Sequence, residues 1–263
     1  MKAKNIFKML IIYMLCIIIV PGCQRYNDDN FIFNNKYNDI IVEYANINCI
    51  SPADAISYPE PWTKEIAESF SIFKETLKET STCGLIETTL NNPEIYAIRP
   101  WCGYCSSFSV DGIAYFNNII ANDEVIQELL TRADVVEKLT GRYSHAVSNK
   151  SPEKDEATNR YLAVLIASDA VRPLLTNRQA EDLLVLSLKM INKLPVDNYD
   201  HGKTDHVHIL VSALMHLNYE PFLNDSYFVD GKLETVTTGY KICNEAPDLV
   251  IQYSIDYLNL RNK

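Results

Sequence analysis

The stretch that decides the fold is NRQAEDLLVLSLKMINKL, residues 177–194. Its apolar side chains recur every three or four residues, which is the repeat of one face of an α-helix. Charged side chains fall on the opposite face. The pattern predicts a long amphipathic helix, whose apolar face consists of Ala180, Leu183, Leu184, Leu188, Ile191 and Leu194.

The same periodicity occurs on both sides of this stretch. Ser151 and Pro152 are typical of a helix start, as N-cap and first helical residue, and Pro173 of its end. Helices joined by short loops favour a mostly α fold of packed helical hairpins, either bundle-like or solenoid-like. The further helices predicted are Thr63–Glu79, Glu124–Leu130, Ala133–Ala146, Thr204–Leu217 and Pro247–Leu258.

One stretch does not have the helical repeat. In YFVDGKLETV, residues 227–236, Asp230 and Gly231 stand between flanks rich in β-favouring residues. This pattern predicts one short β-hairpin, which must pack against the helices to be stable. Only 8 glycines occur in 263 residues, and no glycine-rich phosphate-binding loop is present.

The N-terminus has the pattern of an export signal. Lys2, Lys4 and Lys8 precede an unbroken apolar run from Met9 to Val20. That run is shorter than the roughly 20 apolar residues that cross a bilayer core, but it fits the apolar region of a secretory signal. We therefore expect residues 1–22 to be a signal peptide.

The end of the apolar run, Val20-Pro21-Gly22-Cys23, resembles the lipobox of bacterial lipoprotein precursors. Pro21 departs from the small residue usual there. The resemblance implies that Cys23 carries acyl chains, palmitate among them, which together anchor a protein firmly in a membrane. No Asp stands directly after Cys23, which by resemblance to Gram-negative sorting favours the outer membrane, on either its periplasmic or its surface side.

The rest of the chain is divided by composition. Residues 23–37 are polar and rich in Asn and Asp, which predicts a flexible tether, and residues 38–263 are predicted to form a single α-helical domain. LIETTLNNP, residues 85–93, resembles a segment of uncharacterised helical lipoproteins of gut bacteria. That resemblance implies fold and location but no activity.

The charge of the chain limits its partners. The formal net charge is −10, and without the three signal-peptide lysines 21 basic residues face 34 acidic ones, a charge of −13. Phosphate backbones require clustered Lys and Arg. We therefore expect no nucleic-acid partner, and no binding to anionic headgroups beyond the covalent anchor.

The motif WCGYC, residues 101–105, resembles the active site of thioredoxin-type disulfide oxidoreductases, with Cys102 and Cys105 as the redox pair. The residues that follow are poor helix formers, and helices stand where that fold needs strands. A structural bridge is favoured instead: Cys102 or Cys105 bonded to Cys49 or Cys83, or to each other. A zinc site with Cys83, Cys102 and Cys105 is the third alternative. Five cysteines follow Cys23, so at least one has no partner within the chain.

A second polar cluster is DHGKTDHVH, residues 200–208. If a helix begins near Thr204, Asp205 and His208 share one face, and His201 can reach back to complete a metal site. His206 then points about 200° away from His208. The favoured alternative is that Thr204 caps the helix and the histidines are solvated.

The sequence contains neither a Gly-x-Ser-x-Gly nor a His-Glu-x-x-His motif. We therefore expect a non-enzymatic cell-envelope lipoprotein, a binding or scaffold protein without cofactor, that presents a helical surface to a protein or small-molecule partner. The alternatives from other classes are an exported thiol-disulfide oxidoreductase using Cys102 and Cys105, and a metal-binding protein using His201, Asp205 and His208.

Overall fold

The structure is built from helices. The computed structural model describes residues 40, 43–44, 46–47, 49–93, 118–148, 154–193, 199–226 and 246–261, none of which lies in a strand. The predicted mostly α fold of packed helices is confirmed. Residues 118–122 are helical, and a 3-10 turn spans Arg172–Leu174. The α-helices are α1 (Lys64–Ser69), α2 (Lys74–Glu79), α3 (Thr82–Leu90), α4 (Glu124–Leu130), α5 (Val135–Ser148), α6 (Lys154–Ala167), α7 (Asn177–Lys193), α8 (Tyr199–His216), α9 (Glu220–Leu223) and α10 (Ala246–Arg261).

The core is centred on α7 and α8. Helix α8 packs against α6, α7 and α10, and α5 packs against α6 and α7. Residues 182–191 of α7 and 206–214 of α8 are all buried. A helix surrounded by neighbours presents no polar face to solvent. The predicted charged face of α7 is therefore wrong over this length, because Asp182 and Lys189 are buried.

Buried charges in the core are paired. Arg142 of α5 bonds the Glu87 carboxylate of α3 through its Nε, at 2.5 Å, with about a tenth of each side chain exposed. The Tyr44 hydroxyl donates to Asp182 Oδ2 at 2.8 Å. Burial raises the pKa of Asp182, although the bond from Tyr44 lowers it. These contacts join α3 to α5. They also join the N-terminal segment, which carries Glu43, Tyr44 and Ile47, to α7.

A smaller group of helices, α2, α3 and α4, lies beside this core. Helix α4 packs against α3 and contacts α2, while α3 contacts α5 and α6. The Arg132 guanidinium donates to three backbone carbonyl oxygens around the end of α2, at 2.9–3.2 Å. Backbone carbonyls at a helix end have no intrahelical partner, so this arginine fixes α2 against α4.

The prediction of one continuous helix over Thr63–Glu79 is wrong. The structure has α1 and α2 there, because the backbone is extended at Phe70 and Phe73, with ψ angles of 127° and 134°. Phe70 packs against other aromatic rings instead of continuing the helix. Phe73 is 80% exposed, although the spacing of Ile66, Phe70, Phe73 and Leu77 predicts that it lies on the apolar face of one helix.

Helix α8 begins earlier than predicted. It starts at Tyr199, so Thr204 lies inside the helix and does not cap it. The predicted signal peptide (1–22), tether (23–37), hairpin (227–236) and helix start at Ser151 and Pro152 lie outside the described residues. Within the described ranges, no helix has the length and apolar character needed to cross a membrane.

Candidate functional site

A disulfide bond holds the loop before α1. Cys49 and Cys83 are bonded, with a Cα–Cα distance of 4.8 Å, and Cys49 is fully buried. Ser81 N donates to the Asp54 carboxylate at 2.6 Å, which lowers the pKa of Asp54. Ile56 N donates to Thr88 Oγ1 at 2.8 Å. Three contacts therefore fasten residues 49–56 to α3.

The disulfide narrows the alternatives for WCGYC. Cys102 and Cys105 lie outside the described residues, as do the proposed lipid-attachment residue Cys23 and also Cys243. Because Cys49 and Cys83 bond to each other, the predicted bridge from Cys102 or Cys105 to either of them is wrong. Cys83 is also lost as a thiolate zinc ligand. A Cys102–Cys105 bond and a redox pair remain as predictions.

The histidine cluster is placed mainly in the core. His206 and His208 are each 5% exposed, so the expectation that they are solvated is wrong. They serve different faces of α8, as helix geometry predicted: His206 Nδ1 lies 2.8 Å from the Tyr143 hydroxyl, whereas His208 Nε2 has no hydrogen-bond partner within the described residues. Burial lowers the pKa of His208 to about 4.

No metal site is formed by the described side chains. His201 and Asp205 lie in α8, but the structure does not describe their side chains. Among the residues whose side chains are described, no three of His, Cys, Asp and Glu come together as metal ligands. The proposed set of His201, Asp205 and His208 stays a prediction, with His208 its one described member.

The structure shows a cleft that the sequence did not indicate. It has a volume of about 240 Å³ and lies between the loop before α1, the α1–α2 connection and the start of α4. The rings of Tyr58, Trp62 and Phe70 form one wall, with centroids 5.4–5.5 Å apart. Two of the three pairs meet edge to face, a favourable aromatic geometry. The cleft is lined by Tyr58, Trp62, Phe70, Ser71, Ile72, Asn92, Asn122, Asp123, Glu124 and Val125.

The polar side of the cleft is organised by Asp123. Its Oδ1 accepts from Val125 N and Ile126 N, at 2.8 and 3.0 Å, and so caps α4. Its Oδ2 accepts from Asn92 Nδ2 at 2.9 Å. Burial raises the pKa of Asp123, against these hydrogen bonds, which lower it. The buried Tyr161 has a raised pKa, first from burial and then from the nearby Asp123 carboxylate.

This arrangement suits binding. Aromatic surface beside a few fixed polar groups is typical of small-molecule sites. The only sequence signal for it was Tyr58-Pro59-Glu60-Pro61-Trp62, two aromatic residues in a stretch that prolines exclude from a helix. Nothing in that signal indicated the distant residues that form the other side.

Comparison with known proteins adds no assignment. No family model, no curated protein and no solved structure matches the chain.

Proposed function

We propose that this chain is a cell-envelope lipoprotein, anchored in the outer membrane through Cys23, that binds a ligand without transforming it. The cleft between the loop before α1, the α1–α2 connection and the start of α4 is its recognition site. The observation that carries the proposal is the aromatic wall of Tyr58, Trp62 and Phe70 facing a fixed polar side. Such a surface is concave and preformed, as ligand sites generally are.

Two features support location in the envelope. The first is the basic, then apolar, N-terminus that ends at Cys23. The second is the buried Cys49–Cys83 disulfide, because such bonds persist in oxidising compartments and are rare in the cytosol.

The hydrogen bonds of Asp123, the acid in the cleft whose pKa is raised, favour binding over catalysis. Asp123 uses one oxygen to cap α4 and the other to accept from Asn92. A general acid or base must be within hydrogen-bond reach of a substrate proton. The bonds of Asp123 instead fix it as a structural acceptor.

Lipidation is tested by metabolic labelling in the bacterium that makes the protein. We expect radioactive palmitate to enter the wild-type chain and the chain to partition into detergent. Cys23→Ala removes both properties, whereas the control Cys243→Ala keeps them. A wild-type chain that takes up no label would refute the anchor, without bearing on the cleft.

A further inference from the structure

The charge of the cleft is one-sided. Asp123 and Glu124 line it, and no Lys, Arg or His belongs to its described lining. Neither carboxylate forms an ion pair with a described residue. A negatively charged ligand would meet two like charges and no counter-charge, which disfavours binding. The cleft therefore selects against anions.

Two side chains on the polar side of the cleft, Asn122 and Glu124, can only accept hydrogen bonds from a ligand. The Asn122 amide N–H donates to Asn118, to both its backbone and side-chain oxygens at 2.8 Å. Asn122 can therefore offer the cleft only its carbonyl oxygen, while the exposed Glu124 carboxylate can only accept. Donors are present on the aromatic wall, in the Tyr58 hydroxyl and the Trp62 indole N–H. The preference for a cation therefore rests on the acceptors of the polar side and on its negative charge.

The aromatic wall adds an attraction for positive charge. The π face of Trp, Tyr or Phe carries negative charge density and attracts a cation within about 6 Å of the ring centroid. Tyr58, Trp62 and Phe70 are half-buried and pack against one another. Their contacts hold the rings in place before a ligand arrives, which reduces the ordering needed on binding.

The size of the cleft limits the ligand. Its volume of about 240 Å³ is below the roughly 300–1,000 Å³ of pockets that take drug-sized molecules. A single ring or a short alkyl chain with one charged group fits this space.

We propose that the cleft binds a small organic ammonium ion, with the apolar body on the rings of Tyr58, Trp62 and Phe70 and the N–H groups on Glu124 and the Asn122 oxygen. This inference rests on the proposed function, in which the cleft is the recognition site. The carboxylate of Asp123, which also lines the cleft, adds electrostatic attraction for the cation.

The test is calorimetric titration of the purified full chain in detergent. The probe is 2-phenylethylammonium chloride, and 2-phenylethanol is its neutral control of matched shape. We expect the ammonium to bind about tenfold more tightly than the alcohol, since a desolvated cation–aromatic contact is worth up to about 2 kcal/mol. Added salt should weaken the binding of the ammonium ion but not the binding of the alcohol.

Matched variants locate the site. Trp62→Ala should weaken ammonium binding about tenfold and Glu124→Gln about threefold, whereas Glu137→Gln and Phe73→Ala, which change exposed residues outside the cleft, should not. Glu124 is exposed, so its conservative replacement leaves the fold intact even if Trp62→Ala does not fold. Far-UV circular dichroism checks each variant.

The outcomes separate the two proposals. Equal binding of alcohol and ammonium, or binding of methyl glucoside instead, would overturn the cation while keeping the cleft as a binding site. Binding that Glu124→Gln leaves unchanged would also overturn it. A folded wild-type chain that binds none of the probes would refute the ammonium inference, and palmitate labelling would still decide the lipoprotein proposal.

Discussion

His208 shows how burial changes the chemistry of one side chain. In the unfolded chain its pKa is ordinary, about 6.5, but in the folded protein burial lowers the pKa to about 4. The unfolded state therefore binds a proton between these two values while the folded state does not. Protonation of this residue therefore leaves the free energy of unfolding at its full value above pH 6.5, and lowers it as the pH falls towards 4.

We predict that His208→Leu makes the protein less sensitive to acid. Between pH 7 and pH 5 the wild-type chain should lose about 2 kcal/mol of unfolding free energy through this residue. The variant should lack that loss, because leucine has no proton to bind. Urea unfolding at both pH values measures the difference, and equal losses in the two chains would contradict the pKa of about 4.

The histidines also mark how far single residues can be predicted. Helix geometry correctly separated His206 from His208, because the angle between them depends only on the turn of the helix. The prediction that both side chains are exposed to solvent was wrong. Their exposure depends on how many neighbours surround α8, and that is decided by residues distant in the chain, such as Tyr143.

At the scale of elements, helices with strong periodicity were predicted well. The predicted Asn177–Leu194 and Glu124–Leu130 correspond to α7 and α4. The break between α1 and α2 was missed, because Phe70 and Phe73 fit a helical repeat locally. Packing of Phe70 on Tyr58 and Trp62 overrides that local pattern.

The disulfide is an element-scale device, since it joins the loop before α1 to α3. Its cysteines are separated by 34 residues, and closing a loop of that length stabilises by about 4 kcal/mol on the chain-entropy model. We predict that Cys49→Ala/Cys83→Ala lowers the unfolding free energy by about this amount. Urea unfolding measures it, with Cys243→Ala as the single-cysteine control.

An unchanged unfolding midpoint in the double variant would show that this bond does not form in the folded protein. Ligand binding to the cleft should weaken along with stability, because the loop that the disulfide holds also carries Tyr58 and Trp62. Ligand titration of the double variant follows that second effect separately.

At the scale of the whole molecule, the helical class was predictable and the assembly was not. Periodicity shows that a helix has an apolar face but not which helices surround it, so a charged face was predicted for α7 where its side chains are buried. The cleft could not be predicted for the same reason. Its two sides, Trp62 and Asp123, are 61 positions apart in the sequence, and they meet only in the folded protein, where α4 packs against α2 and α3.

The N-terminal segment is fastened to the core at more than one place. Tyr44 donates to the buried Asp182, and Glu43 pairs with the exposed Arg178 at 2.7 Å. Ile47 lies against Gly141, where an added Cβ would be 2.6 Å from the Ile47 side chain. The glycine thus permits the close approach of this segment to α5.

We predict that Tyr44→Phe destabilises the folded protein by about 1–3 kcal/mol, because it removes the hydroxyl that a buried carboxylate needs. Glu43→Gln, which breaks an exposed pair, should change stability by less than about 1 kcal/mol. Urea unfolding of both variants compares them. Equal effects would mean that the Tyr44–Asp182 bond is not a main attachment.

The Tyr44–Asp182 contact acquires a mechanical meaning if Cys23 is held in a membrane as proposed. Tension transmitted along the tether would load this hydrogen bond and the Glu43–Arg178 pair, both of which end on α7. Once these contacts and the contact of Ile47 with Gly141 are broken, separation of the chain stops at Cys49, because Cys49 is covalently bonded to Cys83. A pull on the anchor would then detach the segment that carries Glu43 and Tyr44, while the chain from Cys49 onward stays attached to α3 through the disulfide.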